Sequence, residues 1–250
     1  MSKLKKPLIF SLVLLPFTVL GGIFTCLYQF DLYAEDILAE AIAQLGSKEV
    51  LMVISTIQVA GYSLICSFFG YILAEKTGIL KVFSFEKKRL CKVLIVTVVA
   101  GILFSLDYWT FGKIIPGIGN SYTAGITVEA FIASVLYGGI LEEIMLRLFF
   151  MSLIAFILWK IFDRKNEKAS TGIVIAANVI AAIVFAAGHL PSTVLAFGEI
   201  TPLILFRCFL LNGGFGLLFG WLYRKHGIQY SMVAHMGCHI VSKVIWILFI

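Results

Sequence analysis

Apolar runs of 18 or more residues recur along the whole 250-residue chain, and this repetition limits its possible folds more than any other feature. Each run is long enough to cross about 30 Å of hydrocarbon as an α-helix. A bilayer leaves two ways to satisfy the backbone hydrogen bonds, helices or a closed β-barrel. Because the runs are continuous and do not alternate with polar residues, they favour helices. The pattern predicts an all-α polytopic membrane bundle, in agreement with a mean hydropathy of +1.01.

The lengths of the runs predict about seven crossings. We expect them at residues 8–30, 50–74, 93–111, 124–160, 171–189, 202–222 and 228–250. The 124–160 run is too long for one untilted crossing, so we expect one crossing that is broken or bent near Gly138 and Gly139. Residues 31–46 carry an apolar stripe beside acidic side chains, which predicts a short amphipathic helix at the interface. Because no linker interrupts the pattern, we expect residues 1–250 to form one transmembrane domain.

Basic side chains cluster on alternate connections between the runs. Seven crossings place the N-terminal lysines, the 76–92 and 160–168 loops and the pair Arg224 and Lys225 on one side. The positive-inside rule makes that side cytoplasmic. We therefore predict a cell-membrane protein with a cytoplasmic N-terminus, whose first helix is retained and not cleaved. The net charge of +6 then reflects topology, and no nucleic-acid partner is expected.

Two adjacent acids lie near the middle of the 124–160 run. An ionisable side chain at mid-bilayer costs roughly 2.5–3.5 kcal/mol on insertion scales, so such residues usually pair, contact water or do chemistry. On a helix, Glu143 and Arg147 are i, i+4 neighbours and can form an ion pair. Glu142 points elsewhere and is left as a candidate general base. The alternative is a charge cluster at the interface of a tilted helix.

Three histidines also lie within or at the end of predicted crossings. His189 ends an Ala-rich run before Pro191, and it can either reach a cleft or cap the last carbonyls of its helix. Measured from Lys168 along a straight helix, His189 lies too far toward the outer face to meet a mid-membrane Glu142. His235 and His239 share one helical face, where they can bind a metal, donate to an oxyanion or hydrogen-bond to neighbouring helices.

Other residues in these runs suggest structural roles. Gly216 and Gly220 have the GxxxG spacing of a closely packed helix face. Arg207, Asp107 and Lys243 lie near the ends of crossings, where we expect their charges to reach the interface. The five cysteines form no CxxC pair, which predicts neither a disulfide framework nor a thiolate metal site.

Three short motifs occur in a fixed order on the fourth, fifth and seventh predicted crossings. Together they resemble the motifs of the CAAX protease and bacteriocin-processing family of intramembrane endopeptidases, also called Abi proteins. The resemblance lies within residues 124–250, which it implies are the catalytic core. The matching motifs are Glu142-Glu143-x-x-x-Arg147, Phe185-x-x-x-His189 and His235-x-x-x-His239.

The resemblance implies a mechanism of peptide-bond hydrolysis. Glu142 and His189 would activate a water molecule for attack on the scissile carbonyl. Glu143 and Arg147 would hold the site together. The substrate would be a peptide or protein with a membrane-associated cleavage site, such as a prenylated CAAX protein, a pheromone precursor or a bacteriocin leader.

His235 and the residue four positions later would stabilise the oxyanion. The family usually has asparagine at that second position, where this chain has His239. A third histidine makes zinc a possible alternative, held by His189, His235, His239 and Glu142, although the glutamate-activated water needs no cofactor. Two other functions stay open: a non-catalytic immunity or partner-binding protein of the same family, and a proton-coupled transporter. The absence of a visible inverted repeat disfavours the transporter.

Overall fold

The computed structural model describes residues 4–32, 35–115, 117–119, 122 and 126–250. Within these ranges the secondary structure is helical, with no strands. The predicted start of the fourth crossing, at residue 124, lies outside the described residues. The helices are α1 (Lys5–Leu32), α2 (Glu35–Leu45), α3 (Lys48–Thr77), α4 (Lys87–Ser105), α5 (Phe111–Ile114), α6 (Val128–Phe162), α7 (Thr171–Gly188), α8 (Leu190–Phe197), α9 (Pro202–His226) and α10 (Ile228–Phe249).

Six helices are long and apolar enough to cross a membrane, and they confirm the prediction of an all-α polytopic bundle. They are α1, α3, α6, α9, α10 and the stretch Thr171–Leu195, which joins α7 to most of α8. The seventh expected crossing, at 93–111, corresponds to α4. This helix begins with lysines and arginine and ends at Ser105, earlier than predicted. The amphipathic segment forms α2, which has no buried residue.

Of the two expected forms, a break near Gly138 and Gly139 is wrong, because α6 is continuous from Val128 to Phe162, and a bend there stays a prediction. The hydrogen bonding of α6 changes instead: Ser134–Met151 forms π-type turns, which are wider than α-helical turns. The two glycines serve contact with a neighbouring helix. A Cβ on Gly139 would lie 2.1 Å from Met236 Cγ, so the missing side chain lets α10 approach α6 closely.

Small residues also bring other helices together. A Cβ on Gly216 would lie 3.2 Å from Ala182 Cβ, and a Cβ on Gly220 would overlap the side chain of Asn178. The predicted close packing of the GxxxG face of α9 is therefore confirmed, and its partner is α7. The Asn178 amide donates a hydrogen bond to the Leu217 carbonyl at 3.0 Å, which adds a polar contact between the same helices.

The turn between α9 and α10 is buried under the α3–α4 connection. Gln229 Nε2 donates to the carbonyls of Val82 and Ser84 at 3.2 and 3.0 Å. The Glu86 backbone N–H donates to the Tyr230 hydroxyl at 2.8 Å. Because this connection covers the turn, α10 begins inside the bundle and not at its surface.

The depth problem raised by His189 is accounted for by the positions of Glu142 and His189 along their helices. Glu142 lies roughly 30 Å along α6 from Phe162, and His189 lies about 27 Å from the start of α7, so the two reach a similar level. His235 lies about two turns into α10, whose first residues are buried. Glu142 is therefore farther from the basic loops than its central position in the 124–160 run suggests.

The expectation that Arg207, Asp107 and Lys243 extend to the interface is wrong. Asp107 and Lys243 are buried, with 1% and 4% of their surface exposed. Arg207 Nε donates to both carboxylate oxygens of Asp107 at 3.0 and 3.1 Å, and the Tyr122 hydroxyl also donates to this carboxylate. Burial raises the pKa of the Tyr122 phenol, which keeps its proton available. A buried ion pair thus joins the end of α4 to α9.

A pair of glycine substitutions in α3 tests the packing of this helix against α6. A Cβ on Gly70 would lie 2.9 Å from three backbone atoms of Leu148 and Phe149, whereas a Cβ on Gly61 would meet nothing within 4 Å. We expect Gly70→Ala to lower the free energy of unfolding by about 1–3 kcal/mol, because backbone cannot move aside. The control Gly61→Ala should leave it unchanged or raise it by up to about 1 kcal/mol. Equilibrium unfolding in detergent micelles measures both, and equal stability of the two variants would contradict this packing.

Candidate active site

Three helices bring a carboxylate and two imidazoles together. Glu142 Oε1 lies 3.9 Å from His189 Nε2, and Glu142 Oε2 lies 4.0 Å from His235 Nε2. Glu142 comes from α6, His189 from the junction of α7 and α8, and His235 from α10. Each carboxylate oxygen therefore faces a different imidazole, just beyond hydrogen-bond distance. Such separations are common in unliganded catalytic sites and shorten when substrate binds.

The second acid, Glu143, is fully buried behind this group. Its Oε1 lies 3.6 Å from Arg147 Nε, so the predicted i, i+4 ion pair forms. The same oxygen accepts a hydrogen bond from His235 Nδ1 at 2.9 Å. Its Oε2 accepts from Ser231 Oγ, which also lies 2.8 Å from the Phe219 carbonyl. Glu143 therefore has three polar neighbours, and two of them, Ser231 and His235, link α6 to α10.

Arg147 is also fully buried, and its charge is balanced in two ways. Glu143 supplies the opposite charge, and the guanidinium carbon lies 4.5 Å from the centroid of the Phe185 ring, a cation–π arrangement. Among the described residues, none of its three guanidinium nitrogens has a hydrogen-bond partner within standard limits. Phe185, the aromatic residue of the second motif, therefore contacts Arg147, the cation of the first motif.

Hydrogen bonds determine which nitrogen of each imidazole faces Glu142. His189 Nδ1 lies 2.8 Å from the Phe185 carbonyl, which can only accept, so Nδ1 carries a proton. His235 Nδ1 carries a proton for the same reason, because Arg147 keeps Glu143 ionised. Both rings therefore turn Nε2 toward Glu142. His189 therefore fits both of the roles considered for it: Nδ1 caps a carbonyl of its own helix, and Nε2 reaches the cleft.

His239 extends the group along α10. Its ring stacks on that of His235 with centroids 5.0 Å apart, and Phe219 stacks on His235 at 4.4 Å. A Cβ on Gly138 would lie 3.1 Å from His239 Nε2 and 3.8 Å from His235 Nε2. The missing side chain at Gly138 therefore leaves space beside both nitrogens, and any side chain there would fill it.

These groups line one cavity of about 800 Å³. Its wall includes Glu142, His189, His235 and His239, whereas Glu143 and Arg147 lie behind the wall. Much of the remaining surface is apolar and comes from Phe104, Leu211, Phe215 and Phe219. A largely apolar cavity with a few convergent polar groups is the usual form of a binding site. The residues expected to react line the cavity, and those expected to hold the site do not.

Zinc is the alternative to a glutamate-activated water. The Nδ1 atoms of His189 and His235 contact a carbonyl and a carboxylate, as those of metal-binding imidazoles usually do, and their Nε2 atoms face the cavity. Within the described part of the chain, no group of three histidine, cysteine, aspartate or glutamate side chains is placed to hold a metal ion. No chemical step is therefore assigned to a metal.

Two residues of this network carry no motif of their own and were not predicted. Ser231 hydrogen-bonds to Glu143, and Phe219 stacks on His235. Ser231 lies one helical turn before His235, so its i, i+4 spacing was a usable signal. No sequence spacing points to Phe219, because its contact with His235 depends on how α9 and α10 pack.

The two adjacent acids should differ sharply in their effect on stability. Glu143→Gln leaves the Arg147 charge buried without its partner, so we expect a loss of about 3–5 kcal/mol in the free energy of unfolding. Glu142→Gln is the matched control: its carboxylate is 19% exposed and touches no cation closely, so we expect about 1 kcal/mol or less. Unfolding of both variants in detergent micelles measures the difference. A Glu142→Gln protein less stable than Glu143→Gln would contradict these roles.

Comparison with known proteins gives one match. Residues 124–241 match a family model described as Rce1-like, type II CAAX prenyl endopeptidase Rce1-like. The matched segment contains all three motifs and ends within α10. No curated protein and no solved structure matches the chain.

Proposed function

Residues 124–241 belong to the CAAX protease family of membrane endopeptidases, and from this premise we propose that the protein hydrolyses peptide bonds within the membrane with Glu142 as general base. The observation that carries the proposal is the position of Glu142 in the cavity wall. It is the acid of the pair without a guanidinium partner, and each of its oxygens faces an imidazole Nε2. A half-buried carboxylate without a guanidinium partner can accept a proton.

The hydrolysis begins at a water molecule between Glu142 and His189. Glu142 takes one proton from the water while the water oxygen attacks the scissile carbonyl carbon, which forms a tetrahedral oxyanion. Neutral His189 accepts the second O–H of the water at Nε2 and orients it. When the C–N bond breaks, protonated Glu142 returns its proton to the departing amine. The carboxylate is restored, and two peptide fragments leave.

The oxyanion needs hydrogen-bond donors that are already in place. Because His235 Nδ1 donates to Glu143, His235 can donate from Nε2 only as an imidazolium. Two carboxylates flank this ring, with Glu143 Oε1 2.9 Å from Nδ1 and Glu142 Oε2 4.0 Å from Nε2. His239, stacked on His235 beside Gly138, supplies a second N–H from a neutral ring. Together they form the proposed oxyanion site.

The cavity also suggests the form of the substrate. Its volume of about 800 Å³ is far larger than one water molecule, and aromatic and aliphatic side chains supply much of its wall. An extended peptide segment with apolar side chains around the scissile bond fits this environment. Such a segment brings its carbonyl to the polar groups while its side chains occupy the apolar surface.

Replacement of the base tests the proposal directly. In purified, reconstituted protein, Glu142→Gln should reduce the cleavage of internally quenched apolar peptides by at least about a hundredfold, because an amide accepts no proton. The peptide set should include members with and without a farnesylated C-terminal cysteine. Glu129→Gln is the control, since Glu129 is on the same helix but outside the cavity wall. Cleavage by Glu142→Gln at the wild-type rate would overturn the mechanism.

The unusual residue at position 239 gives a separate test. His239→Asn introduces an amide donor and should keep cleavage within about tenfold of wild type, whereas His239→Ala should lose about 10²–10³ in kcat. Steady-state kinetics separate kcat from KM for both variants. Equal kcat values for the alanine and asparagine variants would show that His239 makes no contact with the oxyanion.

A further inference from the structure

The cavity occupies only one half of the bundle. On α1 its lining residues lie near the C-terminal end, and on α6 they lie in the first half of the helix. On α7 they lie in the last turns, and they continue through α8. Those on α9 begin at Arg207, close to its start, and reach Phe219. On α1, α6 and α7 the lining residues lie toward the helix end that is farther from the basic loops, whereas on α10 they are His235, Cys238 and His239, in the half that follows the basic turn.

The basic residues occupy the opposite ends of the same helices. Lys5 and Lys6 begin α1, Lys160 is near the end of α6, and Arg224 and Lys225 are near the end of α9. By the positive-inside rule this end of the bundle faces the cytoplasm. The open half of the bundle therefore faces the other side of the membrane.

The cytoplasmic half is closed by packing. Below Glu142, toward the basic loops, the buried side chains of α3, α6, α7, α9 and α10 form one continuous apolar cluster that includes Leu148, Met151 and Tyr223. Ser152 and Tyr223 are hydrogen-bonded at 2.9 Å within it. A small pocket of about 160 Å³ on this side shares no lining residue with the cavity. Along α6 and α7, these buried apolar side chains therefore fill the space between Glu142 and the basic loops.

Among the described residues, the open side carries more acidic than basic side chains, although Lys48 and Lys113 also lie there. Asp31 is adjacent to Leu32 of the cavity wall, and Glu199 follows Phe197 of the same wall by two residues. Glu35 and Asp36 begin α2 immediately beyond α1. The one guanidinium in the wall, Arg207, is paired with Asp107. This distribution attracts positively charged ligands to the mouth of the cavity.

We infer that the scissile segment enters from the extracytoplasmic side of the membrane, as part of an exported or secreted peptide. This inference rests on the proposed peptidase function and names the substrate class of the same site. The preferred peptide has apolar residues around the cleaved bond, which match the cavity wall, and basic residues beyond them, which match the acidic mouth.

Cysteine labelling tests the side of access without requiring catalysis. In a variant whose five native cysteines are replaced, Ser192→Cys places a thiol in the cavity wall and Lys165→Cys places one in a basic loop. A membrane-impermeant maleimide added to intact cells should label Ser192→Cys and leave Lys165→Cys unlabelled until the membrane is permeabilised. Labelling of Lys165→Cys alone, or of both, in intact cells would overturn the inference. The same experiment in Glu142→Gln shows that the result is independent of activity.

Cleavage in oriented vesicles completes the test. Two quenched peptides share an apolar centre and carry either lysines or glutamates at both ends. Right-side-out vesicles should cleave the lysine peptide about tenfold faster than the glutamate peptide at low salt, and inverted vesicles should cleave neither. Maleimide treatment of Ser192→Cys from outside should block the reaction. Cleavage in inverted vesicles alone would overturn the inference. If neither orientation cleaves but the labelling is as expected, the peptidase function is contradicted and the side of access is not.

Discussion

A carboxylate without access to water is the constraint on which the site depends. Glu143 is fully buried in a bundle surrounded by hydrocarbon, where an isolated charge would be prohibitively costly. The surrounding residues meet this cost through Arg147 on the same helix and through Ser231 and His235 on α10. Because these contacts need close approach and correct angles, they define the position of α6 relative to α10. They also define the orientation of the His235 ring, and hence which nitrogen reaches the cavity.

Close approach of the helices depends on residues that lack side chains. Between apolar helices in lipid, association is driven by van der Waals packing, and the hydrophobic effect contributes little. Gly139 admits Met236, and Gly216 and Gly220 admit α7. These contacts bring the motif residues of three helices within 4 Å of one another. The glycines therefore contribute to the chemistry without taking part in it.

The bundle is asymmetric along the membrane normal. One half is packed and carries the basic loops. The other half contains the cavity and the acidic residues near its mouth. The buried turn between α9 and α10, held under the α3–α4 connection, contributes to this asymmetry because it starts α10 well inside the bundle. The same feature packs the half that carries the basic loops and helps to bring His235 to Glu142 and His189. One packing arrangement thus determines both where the site lies and from which side it is open.

The sequence by itself determined the class of fold, the order of the crossings and the residues that form the candidate site. Those properties follow from hydrophobic length, from the alternation of basic loops and from local spacing along a helix, which act over a few turns. Thus the ion pair between Glu143 and Arg147, and the packed face at Gly216 and Gly220, could be predicted from i, i+4 positions. Only the tertiary structure decided the depth of His189 and His235, the burial of Asp107 with Arg207, and the stacking of Phe219 on His235. These contacts join residues that are distant in the chain, so they depend on where each helix begins within the bundle and which neighbour it meets, and no local pattern specifies either.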